Sequence, residues 1–233
     1  MRASRAVSAT PVTCAAALAI ALVIVATAAF LLLEYSSLPD LLPVHFNKSG
    51  APNGWQYRTV ARVLIPVGVQ IMLALILGSV AWLLLSRPHG EQDDAAPDVR
   101  AAAAAAEAVL LIALIWVAFQ GYAAFSLAQL WVSHRSTLPF YNLGEISGVF
   151  ASIAVAIRAN RRLGRPEPRP FMAAHWRLGQ LYKNPEDPAL FVPTRDGRRW
   201  TLNFGRPVAG ALLGLILVVG VLGPTVLISL ALR

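Results

Sequence analysis

Five long apolar stretches alternate with polar loops along this chain of 233 residues. A helix needs about 20 mostly apolar residues to cross the hydrocarbon core of a bilayer. Each stretch therefore predicts a membrane-spanning helix, and the fold class is expected to be all-α, a five-helix integral membrane bundle. The predicted spans are 12–33, 60–85, 107–132, 140–157 and 208–232.

The loops divide the chain into three parts. Residues 1–158 are predicted to form a membrane domain with four helices and an outer loop at 34–59, which is rich in proline and glycine and therefore in turns. Residues 159–206 are predicted to form a linker followed by a small hairpin module, and 207–233 the fifth helix. The basic stretch from Arg158 onward is interpreted as a linker along the membrane surface or as a simple topology signal.

The net charge of +8 is explained mainly by topology. If the N-terminus is cytoplasmic, 15 of the 20 Lys and Arg residues lie inside, and basic residues favour the cytoplasmic side. This predicts a multi-pass membrane protein with its N-terminus in the cytoplasm and its C-terminus outside. No nucleic-acid-binding motif is present, so nucleic acid is not an expected partner.

The outer loop carries a dense motif. It reads Leu38-Pro39, then Pro43-x-His45-Phe46-Asn47, then Gly50 and Gly54. This resembles the signature of a bacterial domain-of-unknown-function family that includes the SdpI-type immunity proteins. The resemblance implies protection against a membrane-active toxin peptide or a role in signalling. It covers the chain to about Leu85.

The segment before the fifth span carries a second motif. Asp196-Gly197 between β-prone runs predicts a hairpin that lays Trp200, Leu202 and Phe204 on one face. The pattern resembles a second uncharacterised bacterial module that often accompanies the first. The residues that carry this resemblance are Trp176, Tyr182, Asn184, Asp187, Gly197, Trp200 and Asn203.

The candidate site lies at the outer side. His45 and Asn47 are expected to face the bundle near the outer ends of the second and fourth helices, as a structural cap or as part of a ligand-binding loop. Glu145 in the fourth span is a functional candidate because a carboxylate within a membrane is costly. Arg62 is its expected ion-pair partner. With Glu34 and His134, these residues leave a metal or proton-transfer site open, although no tight ligand spacing occurs and no cofactor is predicted.

The outer loop leads us to expect a protein that recognises an extracytoplasmic peptide or lipid at its outer face, with catalysis not favoured. The resemblance implies a location in the bacterial inner membrane and a role in toxin-peptide immunity or envelope signalling. The lipid bilayer is one expected partner, and a cytoplasmic or membrane protein is another. Two alternatives stay open. A small transporter or channel would use Gln70, Gln120, Gln129, Asn142 and Glu145 as a polar path. A membrane-embedded enzyme would use His45 and Glu145.

Overall fold

The structure is a computed structural model that describes residues 7–46, 52–86, 97–133, 141–163, 171–187, 189, 191–195, 200–211, 213–214 and 217. Its main helices are α1 (Pro11–Leu33), α2 (Val60–Val63), α3 (Ile65–Leu85), α4 (Pro97–Ser133) and α5 (Tyr141–Leu163). Four helices in this part of the chain are long and apolar enough to cross a membrane, so the protein is a multi-pass membrane protein. Residues 207–211, 213–214 and 217 are also helical, and the rest of the expected fifth span lies outside the described residues.

A proline divides the second expected span into two helices. Leu64 interrupts the run between α2 and α3, and Pro66 follows within the first turn of α3. Proline has no N–H to donate, and its ring clashes with the carbonyl four residues earlier. The helix therefore restarts at Ile65, and Thr59 caps the short α2 by accepting a hydrogen bond from the backbone N–H of Arg62 at 3.2 Å.

Helix α4 is the centre of the bundle. It packs against α1, α3 and α5, and the contact with α1 and α3 is rich in buried alanines, including Ala16, Ala81, Ala106 and Ala113. Small side chains let helix backbones approach closely, which favours helix association in lipid. At 37 residues α4 is longer than its predicted span, because the alanine-rich stretch before Glu107 continues the helix.

Helix α5 corrects the predicted linker boundary. The span was expected to end at 157, with a linker beginning at Arg158, but the helix continues to Leu163. The extra turns are held because Arg158 and Arg162 both donate to the buried Glu107 of α4. Of the other helices, α5 packs mainly against α4.

The fold is mostly helical, and within the described residues three antiparallel two-stranded sheets accompany the helices. Strands β1 (Leu41–Phe46) and β2 (Pro52–Tyr57) form a hairpin within the loop that the sequence predicts to be rich in turns. We call this end of the bundle the hairpin end. Strands β3 (Trp176–Arg177) and β4 (Leu181–Tyr182) form a second hairpin, and β5 (Phe191–Pro193) pairs with β6 (Trp200–Leu202).

The described residues between Phe171 and Gly205 form what we call the β module. Its β5 and β6 strands flank Asp196-Gly197, whose turn lies outside the described residues. Leu202 and Phe204 pack against Val80 and Leu83 near the end of α3 and against Ala209. The β module therefore sits at the opposite end of the bundle from β1 and β2, which we call the module end.

Candidate functional site

The hairpin of β1 and β2 is fixed to the helix ends by its buried face. Leu42 is fully buried in a cluster with Val63, Ala128 and Trp131. The indole Nε1 of Trp131 donates a hydrogen bond to the carbonyl oxygen of Pro43 at 3.0 Å. The hairpin is thus held from below by the ends of α2 and α4, so the loop does fold back over the bundle.

Arg62 is a second anchor beneath the hairpin. Arg62 is only 4% exposed. Its guanidinium donates to the carbonyl oxygen of Tyr57 and to Oε1 of Gln56, the latter at 2.8 Å. A buried cation is costly unless its N–H groups are satisfied. These bonds compensate part of that cost and fix the last residues of β2 to α2.

Arg58 joins the hairpin to the end of α1. Its Nη1 donates to the carbonyl oxygens of Tyr35 at 2.7 Å and Leu38 at 2.5 Å, and its Nη2 donates to Oδ1 of Asp40 at 3.1 Å. Its guanidinium also lies 4.9 Å from the ring centroid of Tyr35. Carbonyls at the end of a helix lack helical partners, and this arginine satisfies those of the 3-10 turn Glu34–Ser37 and its neighbour.

The other face of the hairpin is exposed and largely apolar. Trp55 is 57% exposed and Tyr57 is 74% exposed. Cross-strand pairing sets Leu41 opposite Tyr57 and Pro43 opposite Trp55, so these side chains belong to one face of the pleat. His45 is also exposed. It lies opposite Gly54, however, on the other side of the pleat from Trp55 and Tyr57. We call the surface formed by Leu41, Trp55 and Tyr57 the hairpin face.

Gly54 is required by a close approach within the hairpin. A Cβ at this position would lie 2.9 Å from Cβ of His45, its cross-strand neighbour. The expected site residue Gly54 thus has a structural reason for its identity. Asn47 and Gly50 lie outside the described residues.

The expected site joining His45, Arg62 and Glu145 is not assembled. Among the described residues, no ion pair links Arg62 to Glu145. Glu145 is exposed on α5, and its neighbour Gly144 packs beside Phe119 of α4. Trp131, which contacts the hairpin, is twelve positions further along α4, about 18 Å at 1.5 Å per residue.

The remaining outer candidates are also dispersed. Glu34 begins the 3-10 turn after α1 and accepts a hydrogen bond from Oγ of Ser37 at 2.9 Å. His134 lies outside the described residues. Within the described ranges, no three His, Cys, Asp or Glu side chains are grouped as metal ligands.

The expected polar path is not continuous in the described part of the bundle. Gln129 and Glu145 are exposed, Gln120 is half-buried, and the side chain of Asn142 is outside the described set. Gln70 is fully buried between α1 and α4. Its Nε2 donates to Oγ1 of Thr27 at 3.1 Å and to the carbonyl oxygen of Val117 at 3.0 Å, which links three helices.

The buried Glu107 is the centre of a charge cluster at the module end that was not predicted from the sequence. Oε2 of Glu107 accepts from Oγ1 of Thr10 at 2.9 Å, and Oε1 accepts from Arg162 at 2.9 Å and Arg158 at 3.4 Å. The Glu107 side chain is 6% exposed. Two features of the sequence could have indicated this cluster. Arg158 and Arg162 are four positions apart and so share a helix face, and Glu107 is a carboxylate at the start of an apolar span.

The β module is organised by Asn203, one of the residues of the second motif. This fully buried amide donates to the carbonyl oxygens of Asn184, Asp187 and Ala189 and accepts from the N–H groups of Asn184 and Gly205. A Cβ on Gly205 would lie only 2.3 Å from the carbonyl carbon of Asn184.

Three further motif residues meet around this asparagine. The hydroxyl of Tyr182 donates to Oδ2 of Asp187 at 3.0 Å and accepts from Nδ2 of Asn184 at 3.4 Å. Trp176 pairs with Tyr182 across β3 and β4. Gly197 and the side chain of Trp200 lie outside the described part.

Comparison with known proteins gives one partial match. Residues 22–69 match a family model described as a domain of unknown function, DUF1648, which is commonly found in membrane proteins. The match runs from within α1 through the hairpin to the first residues of α3, so it contains Arg58, Arg62 and the hairpin face. No curated protein and no solved structure matches the chain.

Proposed function

We propose that this protein is a receptor of the bacterial inner membrane that recognises an extracytoplasmic peptide through its hairpin face. The observation that carries this proposal is the two-sided hairpin. One side is fixed by Leu42, Arg62 and the Trp131–Pro43 hydrogen bond, whereas the other presents Trp55 and Tyr57 to the surroundings.

The chemistry of the hairpin face favours a partly apolar peptide. Tyr and Trp supply large contact areas at low entropic cost, and they are the commonest residues to dominate binding energy at interfaces. Leu41 adds aliphatic surface beside Tyr57. Each strand of a two-stranded sheet also has one unpaired edge. An extended peptide can add to such an edge as a further strand through backbone hydrogen bonds.

The orientation follows from the distribution of basic residues. Placing the module end in the cytoplasm puts 15 of 20 Lys and Arg residues there, in agreement with the positive-inside tendency. The hairpin end then faces the outside, and the β module faces the cytoplasm. In the same orientation the C-terminus, beyond the fifth predicted span, is extracytoplasmic.

The finer proposal is toxin-peptide immunity or envelope signalling of the SdpI type. It rests on the Pro43-x-His45-Phe46-Asn47 motif and on the family match across residues 22–69. In an immunity protein the rigid hairpin sequesters the toxin at the membrane surface. In a signalling protein, occupancy of the hairpin changes the packing at the module end.

The rival functions have less support from the geometry. A transporter needs a polar path, but Gln70 is tied to Thr27 and Val117, whereas Gln129 lies on the exposed side of α4. An enzyme built on His45 and Glu145 needs the two groups together, yet Gly144, the neighbour of Glu145, packs beside Phe119, away from the hairpin.

The proposal is tested by differential capture. Full-length protein in nanodiscs is incubated with a peptide extract of the bacterial envelope, and retained species are identified by mass spectrometry. Wild type is expected to retain peptides that the Trp55→Ser, Tyr57→Ser double variant does not. Trp82→Ser is the matched control, because Trp82 is 65% exposed but lies on α3 near the module end.

Two results would refute this function. One is equal retention of every peptide by wild type and the double variant. The other is retention of lipids alone, which would leave the aromatic side chains as membrane-interface anchors.

A further inference from the structure

The β module contains a cavity of about 340 Å³. This volume is within the range of small-molecule sites, roughly 300–1,000 Å³. Its floor includes the buried Val192 and Pro193, and its walls include the half-buried Trp176 and Tyr182. The cavity is therefore built from residues of β3, β4 and β5.

The walls of this cavity are aromatic. The rings of Trp176 and Tyr182 lie 5.3 Å apart at 71°, and that of His175 lies 5.9 Å from Tyr182 at 79°. Phe171 extends the wall, 6.4 Å from Trp176. Rings arranged edge to face present π faces in several directions, and each π face attracts cations.

The charges around the cavity favour a positive ligand. Two carboxylates, Glu186 and Asp187, line it together with one guanidinium, that of Arg195. Among the described residues that line the cavity, the formal charges therefore sum to one negative charge. Glu186 is exposed, and among the described residues its carboxylate accepts no hydrogen bond, so it remains available at the rim.

Arg195 shows that this wall accepts an organic cation. Its guanidinium carbon lies 4.4 Å from the ring centroid of Phe171, and its Nη1 donates to the carbonyl oxygen of Gly179 at 3.4 Å. The guanidinium is thus engaged at one side of the cavity. An anion would meet two carboxylates and an arginine that already has partners, so negative ligands are disfavoured.

We propose that the β module binds a small organic monocation, of guanidinium or quaternary ammonium type, against the Trp176 and Tyr182 rings with Glu186 as its counter-charge. The site is distinct from the hairpin face and lies at the other end of the bundle. It does not depend on the function proposed for the hairpin end.

The motif residues support this assignment. Trp176, Tyr182, Asn184 and Asp187 were singled out from the sequence without reference to any cavity, and all four line this one. The Asn203 network holds Asn184 and Asp187 in place beneath it. These motif residues therefore line the cavity as well as contributing to the core of the module.

The test is isothermal titration calorimetry on full-length protein in nanodiscs. Choline and methylguanidinium are the probes, and 3,3-dimethylbutan-1-ol, the uncharged carbon analogue of choline, is the ligand control. Wild type is expected to bind at least one cation saturably and at least tenfold more tightly than the alcohol. Glu186→Gln is expected to weaken cation binding roughly tenfold and to leave the alcohol unchanged.

Two further variants make the result specific. Trp176→Leu is expected to weaken both cations, and Lys183→Gln, an exposed charge change in the same module that does not line the cavity, is expected to keep the affinity within about twofold because such charges are screened. If Trp176→Leu unfolds the module, Glu186→Gln still decides the matter, because Glu186 is an exposed position.

Three outcomes would overturn the proposal. The first is equal affinity for choline and its uncharged analogue, which would make the cavity merely apolar. The second is the absence of saturable binding of either cation. The third is binding of an arginine-containing peptide but of neither small cation, which would make the cavity a protein-docking site.

Discussion

The indole N–H of Trp131, near the end of the longest helix, donates to the carbonyl oxygen of Pro43 in the first strand of the hairpin, 88 positions away in sequence. This bond joins the centre of the bundle to the structure that covers it. Leu42, next to Pro43, is buried in the same cluster as Trp131. The position of the hairpin is therefore determined by α4 as well as by the two helices that it connects.

Replacing Trp131 by Phe tests this attachment. The variant keeps most of the ring packing but removes the indole N–H, so the free energy of unfolding is expected to fall by about 1 kcal/mol. Hydrogen exchange of the amides in 41–57 is expected to become faster. Trp82→Phe, at an exposed position, is the control. Unchanged exchange in Trp131→Phe would show that the hairpin is held without this bond.

The charge cluster at the module end predicts an order of destabilisation. Glu107→Gln is expected to lower the free energy of unfolding by about 1.5–3 kcal/mol, because it weakens hydrogen bonds to charged groups at a buried position. Arg162→Gln is expected to cost about 1 kcal/mol or less, since this arginine is half-exposed and its charge is partly screened.

Arg161→Gln is the matched control, because Arg161 is exposed one position away on the same helix. Unfolding by denaturing detergent measures all three variants. If Arg161→Gln and Arg162→Gln have equal effects, the contact with Glu107 does not hold α5 to α4.

Two substitutions of Gln70 that are similar in size are expected to differ in their effect on the free energy of unfolding. Its buried Oε1 has no hydrogen-bond partner in the described structure, so Gln70→Leu removes an unsatisfied atom as well as two hydrogen bonds. The change in unfolding free energy is expected to stay within about 1 kcal/mol. Gln70→Glu places an ionisable group among the membrane helices and is expected to cost about 2.5–3.5 kcal/mol.

Unfolding in the same detergent series compares the two variants. Similar losses from Gln70→Leu and Gln70→Glu would contradict this interpretation and would indicate that the amide itself is essential. Such a result would favour the transporter alternative, in which Gln70 belongs to a polar path.

The fold of the β module is expected to require glycine at position 205. Gly205→Ala brings a Cβ to 2.3 Å from the backbone of Asn184, so the Asn203 network must move and the module is expected to become sensitive to limited proteolysis. Gly210→Ala is the control, because an added Cβ there meets no atom of the described residues within 4 Å. Equal protease resistance of both variants would mean that the module tolerates a rearranged turn.

The four described spans could be predicted from sequence because each depends on local composition. Apolar length alone identifies them, and the bounds of α1 differ from the prediction by one residue at its start. The extension of α5 to Leu163 could not be obtained in this way. It depends on Glu107, a residue in another helix, whose partners are decided by how the helices pack.

The strands of the hairpin at 41–57 were not predicted because both contain proline. Pro43 and Pro52 are strand residues here, although proline usually argues against a strand. A two-stranded sheet has no third strand to pair with, so a missing N–H on an outer edge is tolerated. The strands that flank Asp196-Gly197 also include a proline, Pro193, but the Asp-Gly pair between β-prone residues such as Val192 and Thr201 predicts a hairpin there.

The site was the least predictable part. Sequence placed His45 and Glu145 on the same side of the membrane, but it contained no information on how far α5 is shifted along α4. The aromatic hairpin face depends on strand alternation, which became visible only once β1 and β2 were paired. The motif of the β module, by contrast, identified residues that do meet around one cavity.

Recognition of an extracytoplasmic peptide requires the hairpin face to lie outside the cell, and cysteine labelling measures this directly. Single cysteines are introduced at Tyr57, which is 74% exposed, and at Leu178, which is 92% exposed in the β3–β4 turn, in a Cys14→Ala background. Intact cells are treated with a membrane-impermeant maleimide. We expect labelling at position 57 and none at position 178 until the membrane is opened. Labelling at 178 with protection at 57 would place the hairpin in the cytoplasm and contradict recognition of an extracytoplasmic peptide.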